Sequence, residues 1–348
     1  MKKVVSGLRL GVPALLAAVA LLATAAAGTA APASKRSAGD AGAITLGLPG
    51  IPPVFLGVRP YVASQKGYYS KYGVNVTLKT FTTGTDAMRA VINGQIDAAW
   101  APTPTVLAAI AGGSPLVGVE GMDVVDWEIG SIDPAVKSCS DLKGQTIGVD
   151  TVGGARYNAL VAMLSKCKLS ITDVKTVNFP GAAGMNAQIA GQLKVNVDHV
   201  DEVSQIEASG KPVTIVTKLQ DVDPYQHYDM LVTTKANVKA HYYDFVHLIE
   251  GDIQATKWML GNPGQAAQIA TVTGDNADVA KAAIQHYLSI NWWPYKTSGL
   301  TEQRITRTIG LNVKLGVLPA SADLTWKAVV DTRMWKQANA ALTHKKKK

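Results

Sequence analysis

The chain has 348 residues, 47% of them hydrophobic and 17% charged, with a formal net charge of +8. This length suits two domains of ordinary size, each with a substantial core. The charge does not mark a nucleic-acid surface: Lys2, Lys3 and Arg9 carry three of the positive charges and the terminal Lys345 to Lys348 four, which leaves +1 for the body.

In chain order, the basic start is followed by an apolar, Ala-rich run from Leu10 to Ala27 and by "APA" at 31 to 33. That pattern predicts a secretory signal cleaved near Ala33 and a mature protein exported to the periplasm. A membrane anchor is the competing reading, because the run is nearly long enough to span. No cysteine lies near the expected cleavage site, which argues against a lipid-anchored protein. Residues 34 to 42 read as a linker.

Strands and helices then alternate. A strand is expected at 43 to 48, a helix at 59 to 73 ending on Gly73, and a strand with period-two alternation at 74 to 81. Next come a helix with Met88, Val91 and Ile92 on one face, a strand at 96 to 100 and a helix at 105 to 113. A second series starts at 141 to 150 and continues through a helix at 155 to 167 and strands at 174 to 179, 193 to 197 and 212 to 219. Beyond about 230 the chain reads as helical, and those helices are expected to pack back on the first series. The reading is an α/β protein of two lobes, each an open, mostly parallel sheet flanked by helices. Lobe 1 takes 43 to 125 plus 231 to 342, lobe 2 takes 126 to 230, and 343 to 348 form a basic tail; crossover strands are expected near 117 to 125 and 228 to 234.

The two series are related. Shifted by 97 residues, "INGQIDAAWAPTPTVLAAIAGGSPL" (92 to 116) falls on "IAGQLKVNVDHVDEVSQIEASGKPV" (189 to 213) without a gap, and Gly84, Met88 and Ala90 fall on Gly181, Met185 and Ala187. Ligands of open α/β sheets bind beyond the carboxyl ends of the strands. Two such lobes face to face would form a two-sided clamp.

The candidate ligand-binding residues therefore lie on the strand-end loops. From lobe 1 these are Gly50, Ile51 and Phe55, then Thr83, Gly84 and Thr85, then Trp100 and Thr103, and finally Asp123; from lobe 2 they are Trp127, then Thr151, Gly153, Gly154 and Arg156, then Gly181, and the polar loop His199, Asp201 and Glu202. Thr83 or Thr85 can also cap its helix, with Asp86 completing a capping box. A cation in the first turn of a helix opposes the macrodipole, so Arg156 calls for an anion: Asp150, or an acidic ligand group. His199, Asp201 and Glu202 are either a solvated loop or a receptor for an amine. Trp100 and Trp127 are either core or ligand platform, and "NWWPY" (291 to 295) is a packed helix end outside the site.

The only two cysteines are Cys139, just before the strand at 145 to 149, and Cys167, at the end of the helix that follows it. A helix running back along its strand returns to the strand's starting edge, so the pair is expected to form a disulfide worth about 3 kcal/mol. There is no nucleophile elbow, zinc-protease helix or EF-hand loop. The six histidines show no ligand-pair spacing. A binder without catalysis, metal or cofactor is expected.

The segments "GYYSKYGVNVTL", "INGQIDAAWAPTPTVLAAIAGGSPL", "SDLKGQTIGVDTVGGARY", "TEQRITRTIGLNVKLGVLP" and "VVDTRMW" resemble the periplasmic solute-binding proteins of ABC importers, in the group for nitrate, sulfonates, taurine and thiamine precursors. The resemblance implies hinge closure over one small solute, such as a sulfonate, nitrate-like or carboxylate compound, and delivery by a monomer to an inner-membrane permease. It places contacts on Thr83, Gly84, Thr103, Thr151, Arg156 and Gly181. One departure is "LKVNVDHVDEVSQIE", where family members often carry an Asp-Ala-aromatic run; it alters the floor of lobe 2. Alternatives on the same fold are thiamine-pyrimidine binding, pyrimidine synthesis, which would need a cofactor lysine and an iron-binding cysteine cluster, and a sensory subunit for a membrane kinase.

Overall fold

The computed structural model describes residues 42 to 122 and 124 to 344. The expected signal, most of the linker, Asp123 and Lys345 to Lys348 lie outside them. The strands are β1 (Gly42–Pro49), β2 (Val74–Phe81), β3 (Ala98–Pro102), β4 (Leu116–Gly121), β5 (Trp127–Ser131), β6 (Thr146–Val149), β7 (Lys175–Asn178), β8 (Val195–His199), β9 (Thr214–Lys218) and β10 (Asp229–Thr234). The helices up to β10 are α1 (Val58–Gln65), α2 (Tyr68–Tyr72), α3 (Gly84–Ile92), α4 (Thr103–Ala111), α5 (Ala155–Lys166), α6 (Ala183–Ile189) and α7 (Val200–Ala208). After β10 come α8 (Lys235–Ala240), α9 (Tyr242–Gly261), α10 (Pro263–Ala270), α11 (Ala277–Ser289), α12 (Glu302–Lys314), α13 (Trp326–Val329) and α14 (Arg333–His344).

The strands form two five-stranded sheets, in the orders β2-β1-β3-β10-β4 and β7-β6-β8-β5-β9. In each, the second strand, β1 or β6, pairs in parallel with both neighbours, and a strand contributed after a crossover, β10 or β5, runs antiparallel. The sequence repeat has its structural counterpart here. The 97-residue shift carries β3 onto β8 and α4 onto α7 residue for residue.

Side-chain alternation explains the layers. On β3, Ala98 and Trp100 join the core under α9, while Ala99 and Ala101 join the core under α3 and α4. On β8, Val195 and Val197 face the core of the second sheet, but the shifted equivalents of Ala99 and Ala101 are Asn196 and Asp198, both fully buried and joined by a 2.6 Å hydrogen bond. Their bulk is accommodated by missing side chains: a Cβ at Gly148 or Gly184 would sit 2.2 Å or 2.6 Å from the Asn196 amide.

Two local expectations are corrected. The single helix at 59 to 73 is two, α1 and α2, because Gly67 takes a left-handed conformation with φ +66 between them. Strand β3 runs on to Pro102, which moves Trp100 from a strand end into the sheet. There Trp100 is fully buried beneath the Arg59 guanidinium, which bridges Glu120 at 3.0 Å and Asp252 at 3.6 Å.

Helix α9 packs on β1 and β2, as expected of the C-terminal helices, but α11 packs on α7 of the second sheet. The Cys139–Cys167 disulfide forms, with the Cα atoms 5.1 Å apart.

Candidate functional site

A partly open pocket lies between the two sheets. The first sheet contributes Pro49, Gly50, Val54, Leu56, Thr82, Thr83, Gly84 and Pro102, and the second Trp127, Asp150, Ala155, Arg156, Gly181 and His199; Asp229 opens the strand β10 that crosses between them. The lips meet. A Cβ on Gly181, whose φ is +58, would lie 3.7 Å from the Thr82 carbonyl across the cleft, and Thr105 Oγ1 donates to the Gly153 carbonyl at 3.2 Å.

Two helix N-termini face this space. At α3, Thr83 is the N-cap: its hydroxyl accepts from the Asp86 amide at 3.1 Å and donates to the Asp86 carboxylate at 2.7 Å. The first backbone bond of that helix is made by Ala87 to Thr83, so the Gly84 and Thr85 N–H groups precede the ladder. At α5 the Asp150 carboxylate accepts from the Ala155 amide at 2.7 Å and the Tyr157 amide at 3.4 Å. Gly154 is required there, since a Cβ would fall 2.5 Å from Asp150 Oδ2.

Arg156 does not pair with Asp150. Its guanidinium is buried and forks onto Glu202, with N–H···O distances of 2.8 Å and 2.7 Å, and donates also to the Val197 and Gly181 carbonyls. Burial opposes ionisation of Glu202, but Arg156 overrides it and holds the carboxyl below its ordinary range. Glu202 therefore serves the arginine and, through a 2.9 Å bond, the His199 amide. The stretch 198 to 202 is not a solvated loop: His199 caps α7 in a reciprocal box with Glu202, and His199, Asp201 and Glu202 are all buried.

The His199 ring packs against Trp127 with centroids 3.7 Å apart, the planes tilted by 38°, and its Nδ1 lies 2.8 Å from Asp126 Oδ2. Burial works against its charge, yet the Asp126 carboxylate prevails and raises it to about 9. The Tyr287 hydroxyl of α11 lies 2.7 Å from both Asp126 and Asp201. One hydroxyl hydrogen cannot serve two carboxylates, so a further proton sits in this set; burial lifts Asp201 to about 7. Asp126, His199 and Asp201 bring ligand-type atoms within 4.8 Å of one another, which makes them the metal-ligand-like cluster among the described residues. They hold one another through these shared protons.

Of the expected residues, Gly50, Thr83, Gly84, Trp127, Arg156, Gly181 and His199 line the pocket, and Asp201 and Glu202 line an adjoining cavity behind His199. Others stand away from the pocket lining. Phe55 is core against Tyr287 and Trp293, Thr103 is fully buried and shares a 2.7 Å hydrogen bond with His227, Thr85 is buried, and Ile51 is 65% exposed. Thr151 and Gly153 are exposed at the lip. Asp229, Asp126 and Tyr287 were not anticipated; a signal did exist for Asp229, which opens β10 as Trp127 opens β5, so both crossovers enter at the cleft.

The family model described as NMT1/THI5 like matches residues 57–266. The chain belongs to the NMT1/THI5-like family. Solved structures with the same fold include the alkanesulfonate-binding protein SsuA from Xanthomonas axonopodis pv. citri bound to MOPS, 18% identical, with a TM-score of 0.70 over 84% of this chain and 100% of that one. The periplasmic nitrate-binding protein NrtA from Synechocystis PCC 6803 is 16% identical, with a TM-score of 0.72 over 87% and 89%. A curated binding protein of Brucella abortus is 25% identical over 132 residues, 38% of this chain, and the chain spans only 40% of that relative's length. The two-lobed fold of this NMT1/THI5-like protein is thus that of periplasmic solute-binding proteins.

Proposed function

We propose that this protein is an extracytoplasmic receptor of an ABC import system, which traps one small organic solute between its two sheets by hinge closure and presents it to a membrane permease. The observation that supports the reading most is the pocket itself. Strand-end loops of both sheets line it, the lips touch over it, and both crossovers pass its edge, so ligand contacts and hinge are coupled by construction. Binding would combine the α3 N–H groups with a few side chains, and no bond to the solute need be broken. The sulfonate and nitrate named for the two structural neighbours are anions; in this chain the arginine expected to meet an anion is already paired with Glu202.

Thermal unfolding of the purified protein against sulfonates, nitrate, carboxylates, amines and pyrimidines tests the reading. A solute at a hundred times its dissociation constant adds about 2.7 kcal/mol, a shift of several degrees. A receptor responds to one chemical class. Equal indifference to every class, with no solute released on denaturation, would refute it.

A further inference from the structure

Resting on the receptor reading, we infer that the solute is a nitrogen base carrying positive charge at neutral pH, a protonated amine or amidine, and that Asp229 is the group that selects it. Two cations line the pocket, and both are neutralised from within: Arg156 spends four of its five N–H groups on Glu202 and two backbone carbonyls, and His199 faces Asp126. Among the described residues two carboxylates line it as well. Of these, Asp150 has backbone partners only, the Ala155 and Tyr157 amides, and no described cation within bonding distance. Asp229 makes neither a hydrogen bond nor an ion pair through its side chain with any described residue, although only 9% of the residue is exposed.

A buried carboxylate without a partner is costly, and a ligand cation at bonding distance removes that cost. Burial pushes Asp229 up to about 7 against the pull of His199, and a neighbouring ammonium or amidinium would hold it ionised. A sulfonate or nitrate in the same space would instead meet two carboxylates and find the arginine taken. The backbone N–H groups of α3 remain for a hydroxyl or carbonyl elsewhere on the solute.

The test uses matched pairs that share the apolar body and differ in the head group, benzamidine against benzenesulfonate and propylamine against propanesulfonate, titrated calorimetrically at neutral pH into the wild type and Asp229→Asn, both checked for folding by circular dichroism. Binding of the cationic member of either pair, weakened at least about 30-fold by Asp229→Asn, is the expected result. Binding of a sulfonate, or binding of a cation that is indifferent to the substitution, overturns the assignment while leaving the receptor reading intact. Mass spectrometry of solute released from the denatured wild type gives a second, independent readout: a released base supports the assignment and a released acid overturns it. Failure of both pairs together with nothing released overturns the assignment, and the receptor reading falls with it only if every other class in the thermal panel is also without effect.

Discussion

Replacing Glu202 by Gln should destabilise the protein by about 3 kcal/mol. The side chains of Arg156 and Glu202 are 3% and 7% exposed, so solvent screening is slight, and the two bonds of 2.8 Å and 2.7 Å form a bidentate fork. Removing one charge of a buried pair costs about 3–5 kcal/mol, because the survivor stays buried without a counter-charge. Gln keeps one acceptor for the guanidinium, which places the expectation at the lower end. Urea unfolding read by tryptophan fluorescence measures it, as a lower midpoint at unchanged slope. Replacing both residues by Met removes the stranded charge and should recover most of the loss, short of about 1 kcal/mol for the lost cap on His199. The single substitution also releases the arginine, so Glu202→Gln should gain affinity for a sulfonate. A loss below about 1 kcal/mol, with no gain for anions, would show that the fork does not form in solution and that Arg156 is available to the ligand.

Tyr287→Phe removes the hydroxyl shared by Asp126 and Asp201 and should cost about 1–3 kcal/mol, seen as a lower thermal midpoint. Because that hydroxyl ties α11 to α7, hydrogen exchange should rise in both helices; unchanged exchange in α7 would contradict the link. Cys139→Ser with Cys167→Ser opens the covalent loop and should cost about 3 kcal/mol, measured by urea unfolding without reductant, with no difference from the wild type as the contrary result. Stability should fall between pH 6.5 and 9. His199 lies above its ordinary 6.5 at about 9, so the stabilisation it contributes is whole below 6.5 and is lost through 9. Asp198, raised by burial to about 8, acts in the same direction, since its folded form must give up a proton the unfolded chain has already released. Urea midpoints at the two ends of that range decide the matter, and a rise would refute the assignment.

Most strands of the two sheets and the pocket between them were legible in the residues because each rests on short-range pattern; β5 was not, as it begins just past the crossover expected near 117 to 125. Period-two alternation marks β2, the capping signals at Thr83 mark α3, and the repeat shifted by 97 residues marks the second lobe. The disulfide was legible for a related reason: a helix that runs back along its strand leaves little choice about where its end lies. The partners of the charged groups were not. Arg156 finds Glu202 across 46 residues, Asp126 finds His199 across 73, and Tyr287 reaches Asp126 across 161, and nothing in local periodicity selects among acidic residues at such separations. Those choices follow from which strand ends and helix starts converge at the cleft, and from burial, which obliges a charge to find a counter-charge or backbone donors, or, as at Asp229, to face the pocket. Local pattern thus set the architecture and the place of the pocket, whereas the charge of its walls was decided only by the tertiary packing that brings the starts of α5 and α7 and the segment before β5 together.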